Sequence, residues 1–180
     1  MAMYHNSFSQ VLFATMILIL ASNGKAKATL DSSFCAQTNA GEERVLCNTL
    51  VNGATTWNAA LSNVIDGALK QVKPIKPIID DLGKNLPSSL RQVSKDSIVE
   101  TCKESYESVV DEFNGALGNI KTGDKFGSIN TQLSAALSSL TECVDALGEF
   151  GVDAGELKKF QSILEKYASL SLAVSSTKTT

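Results

Sequence analysis

Apolar residues recur along this chain at steps of three and four, and nowhere in sustained alternation. Leu46, Leu50, Ala54, Trp57, Leu61, Val64, Ala68 and Val72 form the longest such stripe. The spacing keeps one face of a helix apolar. It predicts a helix of about seven turns, weakened by about 1 kcal/mol at each of Gly53 and Gly67. Pro74 and Pro77 each remove an amide donor, yet Ile75, Ile78, Ile79 and Leu82 keep the rhythm, so a kinked continuation follows. A polar stretch around Pro87 leads into the second stripe, Ile98, Cys102, Tyr106, Val109, Phe113 and Leu117, with Val99 and Val110 beside it. Its opposite face carries Glu100, Lys103, Glu104, Glu107, Asp111 and Glu112. A helix over 96–117 would be a rod of roughly 33 Å, the height of a small bundle.

The segment 118–124 is rich in helix breakers and predicts a turn. Beyond it Ile129, Leu133, Ala136, Leu137, Leu140, Val144 and Leu147 make a third stripe, opening at Ser128 and closing at Gly148 and Gly151. Asp153 and Glu156 read as an Asp/Glu variant of the capping box. They introduce Leu157, Phe160, Leu164, Tyr167, Leu170 and Val174, the fourth stripe. Trp57 sits on an apolar face and is read as core rather than as a platform for a ligand. The expected fold is all-α: an antiparallel four-helix bundle preceded by a small disulfide-closed N-terminal extension.

The cysteines sharpen that picture. Cys102 and Cys143 lie 41 residues apart, and their midpoint falls between residues 122 and 123, inside the expected turn. Two antiparallel helices folding back there bring the sulfurs level, which predicts a Cys102–Cys143 staple. Cys35 and Cys47 then close a short loop of their own. No C-x-x-C spacing supports zinc, so no metal site is expected.

An apolar run at 11–21 is too short to cross a bilayer as a helix. Ala26, Lys27 and Ala28 fit a cleavage site before Thr29, with a cut after Gly24 as the alternative. Residues 1–28 are therefore read as a secretory signal rather than a membrane anchor, 29–175 as one domain and 176–180 as a polar tail. Removing Lys25 and Lys27 from 16 basic residues leaves 14 against 19 acidic, a net charge of −5. Nucleic acid and anionic lipid need clustered cations, so neither is an expected partner. The one histidine, His5, leaves with the signal. Without it the mature chain builds no Ser-His-Asp or Cys-His centre. Asp80-Asp81 and Asp111-Glu112 are adjacent on a helix and point in different directions, which argues against a glycosidase pair. No catalytic residue and no cofactor is expected. A helical bundle that binds an apolar small molecule or a receptor is the competing class.

Cys35-Ala36-Gln37-Thr38 with Cys47, then Thr101-Cys102-Lys103-Glu104-Ser105-Tyr106, then Leu133 to Leu137 leading to Thr141-Glu142-Cys143, resemble the plant invertase and pectin methylesterase inhibitors. The likeness runs from about Phe34 to Val174. Two departures mark it: Arg44-Val45-Leu46 stands where the family often has Tyr-Pro, and the frequent fifth cysteine is missing. The resemblance implies a four-helix bundle with an N-terminal helical hairpin. It also implies stoichiometric, 1:1, non-catalytic inhibition of a carbohydrate-active enzyme in the cell wall or vacuole. Invertase inhibitors of this family carry Pro-Lys-Phe before the third bundle helix; here Lys125 and Phe126 are present and the proline is not. The reading therefore leans to pectin methylesterase, with acid invertase through Lys125 and Phe126 as the alternative. Glu104, Glu107, Asp111 and Asn114, spaced by three and four on one helix side, are the candidate contacts for the first target.

Overall fold

The computed structural model describes residues 32–123 and 126–177, with the side chain of Phe126 left aside. The expected signal at 1–28 and Lys125 lie outside the described residues. Every regular element among those residues is helical. A 3-10 turn at Ser33–Cys35 and helix α1 (Glu42–Leu50) are joined by the Cys35–Cys47 disulfide, with the Cα atoms 5.9 Å apart. The Ser32 amide donates to Asn48 Oδ1 at 3.0 Å and the Arg44 guanidinium to the Thr38 carbonyl at 3.0 Å, which closes the extension on itself. It rests against helices α2 (Trp57–Val72) and α7 (Gly155–Ser175).

The single seven-turn helix expected across 46–72 does not form. The chain leaves α1 at Leu50, makes a turn closed by the Ala54 amide on the Val51 carbonyl at 2.9 Å, and re-enters helix at Trp57. Two local preferences win over the unbroken stripe. Gly53 takes a left-handed φ of 80°, where a side chain is costly, and Thr56 accepts the Ala59 amide at 3.2 Å as an N-cap,. Burial marks the same break. Leu46, Leu50 and Ala54 are half-buried, whereas Leu61, Val64 and Ala68 are completely enclosed.

Past Val72 the prolines tighten the helix rather than end it. A 3-10 turn at Lys73–Ile75 leads to α3 (Lys76–Asp80) and α4 (Leu82–Asn85), both short, with Ile75, Ile79 and Leu82 buried. Helix α5 (Gln92–Thr122) is longer at both ends than the stripe predicted. The expected turn at 118–124 is mostly helix, because Ile120 still finds the core at 5% exposure. Only Gly123, at φ 71° and ψ 24°, stops it, its amide bonding back to Asn119 and Ile120,.

Helix α6 (Phe126–Glu149) runs antiparallel to α5. The Cys102–Cys143 disulfide, with Cα atoms 4.3 Å apart, ties the pair at one level. Ser105 Oγ on the Ser139 carbonyl at 2.6 Å and Asn119 Nδ2 on Gln132 Oε1 at 2.7 Å extend the match towards the turn. Glycine ends α6 as well. Gly151 has φ 67°, and the amides of Val152 and Gly151 return to Leu147 and Gly148 at 2.9 and 3.0 Å, which is a Schellman motif. Asp153 Oδ1 accepts the Gly155 amide at 3.0 Å just ahead of α7, one residue short of the Glu156 amide that the expected capping box would engage, and Ala154 takes the N-cap position.

Helix α7 closes the bundle on α2. The Trp57 indole donates to the Val174 carbonyl at 3.0 Å, joining the start of one helix to the end of the other. Ser175 Oγ donates to Asn130 Oδ1 at 2.6 Å and links α7 to α6. Each of α2, α5, α6 and α7 thus packs on two neighbours in a ring. Phe113, Ile65, Ile129, Leu133 and Leu170 fill the centre.

Candidate target-binding surface

Helix α5 builds this surface because its two faces are chemically unlike. Ile98, Cys102, Val109 and Phe113 turn inward and are at most 2% exposed. On the outer side Glu104, Glu107, Asp111 and Asn114 are all exposed. Steps of three, four and three keep them in one row, about 15 Å long at the helical rise. Interhelical packing and the Cys102–Cys143 bond below hold the backbone of the row, so its spacing is preset. Glu104, Glu107 and Asp111 belong to none of the ion pairs formed among the described residues.

The row has a border that the sequence reading missed. Gly83 of α4 and Lys95, Glu100, Lys103, Glu104 and Glu107 of α5 line a shallow open groove. Asp111 and Asn114 lie beyond it, nearer the Gly123 turn. Lysines therefore alternate with the acids along the groove. Lys76 Nζ bonds Asp80 at 3.0 Å and Lys84 Nζ bonds Asp81 at 2.6 Å. The Asp80 hydrogen bond and charge lift the Lys76 ammonium above its ordinary range, with smaller contributions from Tyr106 and Glu107. Pro74 and Pro77, which shape the connector carrying Lys76, were the signal available for this border.

The second candidate lies elsewhere. Lys125 and the side chain of Phe126 fall outside the described residues; in the chain they follow Gly123, and Phe126 is the first residue of α6. Asn114, the last residue of the row, lies about 14 Å along the helix from Gly123, where α5 ends.

Val72, Ser105, Tyr106, Leu140, Phe160 and Gln161 border a half-open pocket with room for about 40 Å³. That is room for water, far below the several hundred Å³ of an organic-ligand pocket. Among the described residues, no group of His, Cys, Asp and Glu is placed to hold a metal, and no helix is long and apolar enough to cross a membrane.

A disulfide-stapled four-helix bundle with a polar outer face on α5 defines a small helical scaffold protein. The chain belongs to the plant invertase/pectin methylesterase inhibitor family, whose profile matches residues 25–174. Its fold is that of a pectin methylesterase inhibitor from Arabidopsis thaliana, with a TM-score of 0.58 at 14% identity, over 84% of this chain and 97% of that one. A mutant form of a pectin methylesterase inhibitor from Arabidopsis also aligns with a TM-score of 0.58, at 19% identity over 79% of this chain and 92% of its own. A search of curated proteins returned no match.

Proposed function

We propose that the mature chain is a secreted, non-catalytic inhibitor of pectin methylesterase that binds 1:1 over the enzyme's substrate cleft. The observation that carries this is the exposed row Glu104, Glu107, Asp111 and Asn114 on a helix fixed by the bundle. A cleft that holds an anionic polysaccharide is lined with cations, and an acidic row at helical spacing answers such a lining through charge-steered docking. The Arabidopsis proteins that share the fold are pectin methylesterase inhibitors, which supports the same target. The apolar pocket beside Phe160 is small and half-open, and the larger groove along α5 is lined mostly by charged side chains, which argues against the competing role of carrying an apolar molecule.

Acid invertase is the second reading, and Lys125 followed by Phe126 between α5 and α6 favours it. The test titrates purified pectin methylesterase and acid invertase with the mature chain at mildly acidic pH. Pectin methylesterase activity is expected to fall linearly to an equivalence point at equal concentrations, with invertase unaffected. Loss of invertase activity alone would reverse the order of the two readings.

A further inference from the structure

Among the described residues the dipeptide Asn-Gly occurs twice, at Asn52-Gly53 and Asn114-Gly115. Both asparagines are exposed. Their backbones differ. Asn52 and Gly53 lie in the turn between α1 and α2, where Gly53 has φ 80° and open space on the side where a Cβ would project. The turn is closed by the Ala54 amide, and the Gly53 amide makes no hydrogen bond among the described residues. Asn114 and Gly115 lie deep within α5. There the Gly115 amide is committed to the helical ladder, and the Gln132 side chain covers Gly115.

We infer that Asn52 is a site of spontaneous, one-way backbone modification, and that the fold protects Asn114 from the same reaction. The Gly53 backbone nitrogen attacks Asn52 Cγ; the new N–C bond forms as the Cγ–Nδ2 bond breaks. Ammonia departs carrying the former amide proton, leaving a cyclic succinimide. Solvent water then opens either carbonyl of that ring and yields aspartate or isoaspartate. No oxidant or reductant takes part. The ring needs a free nitrogen and a backbone able to bring Cγ onto it; the turn supplies both and the helix supplies neither. Each product adds a carboxylate between the disulfide-closed extension and the bundle. The isoaspartyl form also lengthens the chain by a methylene inside the turn that Ala54 closes on Val51.

The experiment keeps the folded, oxidised mature chain at mildly alkaline pH and follows both sites by peptide mapping with mass spectrometry. The readout is a mass gain equal to water minus ammonia. A parallel sample is reduced and denatured. In the folded protein, position 52 is expected to react at least about tenfold faster than position 114, whose reaction waits for helix opening. In the denatured chain the two rates are expected to converge. Asn52→Gln should remove the early-eluting acidic species from ion-exchange profiles while circular dichroism stays the same. Equal rates at the two sites in the folded protein would overturn the inference. So would a position 52 that is inert when folded and reactive when denatured.

Discussion

Gly67 shows how one missing carbon sets a packing distance. It lies in α2, where alanine would be the better helix former by about 1 kcal/mol. A Cβ there would stand 3.0 Å from Leu50 Cδ2 and 3.0 Å from Tyr167 Cε1. The Tyr167 hydroxyl accepts from Gln71 Nε2 at 3.5 Å, and the ring borders an open groove together with Leu50 and Gly67. Overpacking of that kind costs about 1–3 kcal/mol, which outweighs the propensity gain. Gly67→Ala is therefore expected to lower the thermal midpoint. At Gly115 the added carbon meets the end of Gln132, which must move and give up the bond it accepts from Asn119. A bond worth about 1 kcal/mol then offsets a helix gain of about 1 kcal/mol, and Gly115→Ala should leave the midpoint nearly unchanged. A calorimetric scan of both variants checks the pair, and the reverse order would refute this account of α2.

At the scale of elements, the candidate surfaces make separable demands. A contact spread along α5 responds to charge, whereas a wedge in a pocket concentrates its energy in few residues. Reversing two charges at once, Glu107→Lys with Asp111→Lys, is expected to weaken pectin methylesterase inhibition at least tenfold, or about 1.4 kcal/mol. Lys125→Ala with Phe126→Ala should cost much less. Inhibition constants for both double variants, each with an unchanged helical spectrum, decide the matter. Abolition by the loop variant alone would favour the invertase reading. The elements themselves were largely legible, because the core stripes of α5, α6 and α7 each keep their helical step. The break at 51–56 was not. Ala54 and Trp57 continue the apolar step straight across it, and periodicity is blind to a turn that preserves phase. Asn52-Gly53 and Thr56 were the local signs, and they are turn and capping signals rather than apolar ones. The acidic row was legible for the same reason as the core, being its complement on α5. The groove beside it was not, because Gly83 comes against α5 only through the folding of the connector.

Across the whole molecule, pH and covalent links set the operating range. Burial pushes the Tyr167 phenol above its ordinary value of 10.0, and the Gln71 amide pulls partly the other way. A folded-state value above the unfolded one means the native form holds the proton more tightly. That contribution to stability is complete below about pH 10 and is lost as pH rises through the folded value. No histidine lies among the described residues, so no side chain there has its ordinary range between pH 5 and 8,. Urea midpoints are expected to agree between about pH 5.5 and 7 and to fall on the alkaline side of pH 10, with Tyr167→Phe reducing the alkaline fall. Potentiometric uptake of a full proton by the free protein in the acidic window would contradict this. The disulfides differ in reach, spanning 41 and 12 residues. Loop entropy gives about 4 and 3 kcal/mol respectively, and the longer one lies within the bundle. Cys102→Ser is expected to lower the urea midpoint more than Cys35→Ser.

The staple between α5 and α6 also decides what a protease achieves. The join at 123–126 lies inside the loop that Cys102–Cys143 closes, so a single cut there creates two polypeptides but not two molecules. The severed halves stay tethered, and refolding remains a unimolecular event. Such a nicked inhibitor should run as one species without reductant and as two with it. It should also keep any inhibition that the acidic row supplies, because Glu104, Glu107, Asp111 and Asn114 lie wholly on one side of the cut. One sulfur–sulfur bond thus makes a break in the backbone there a change of topology rather than a loss of mass.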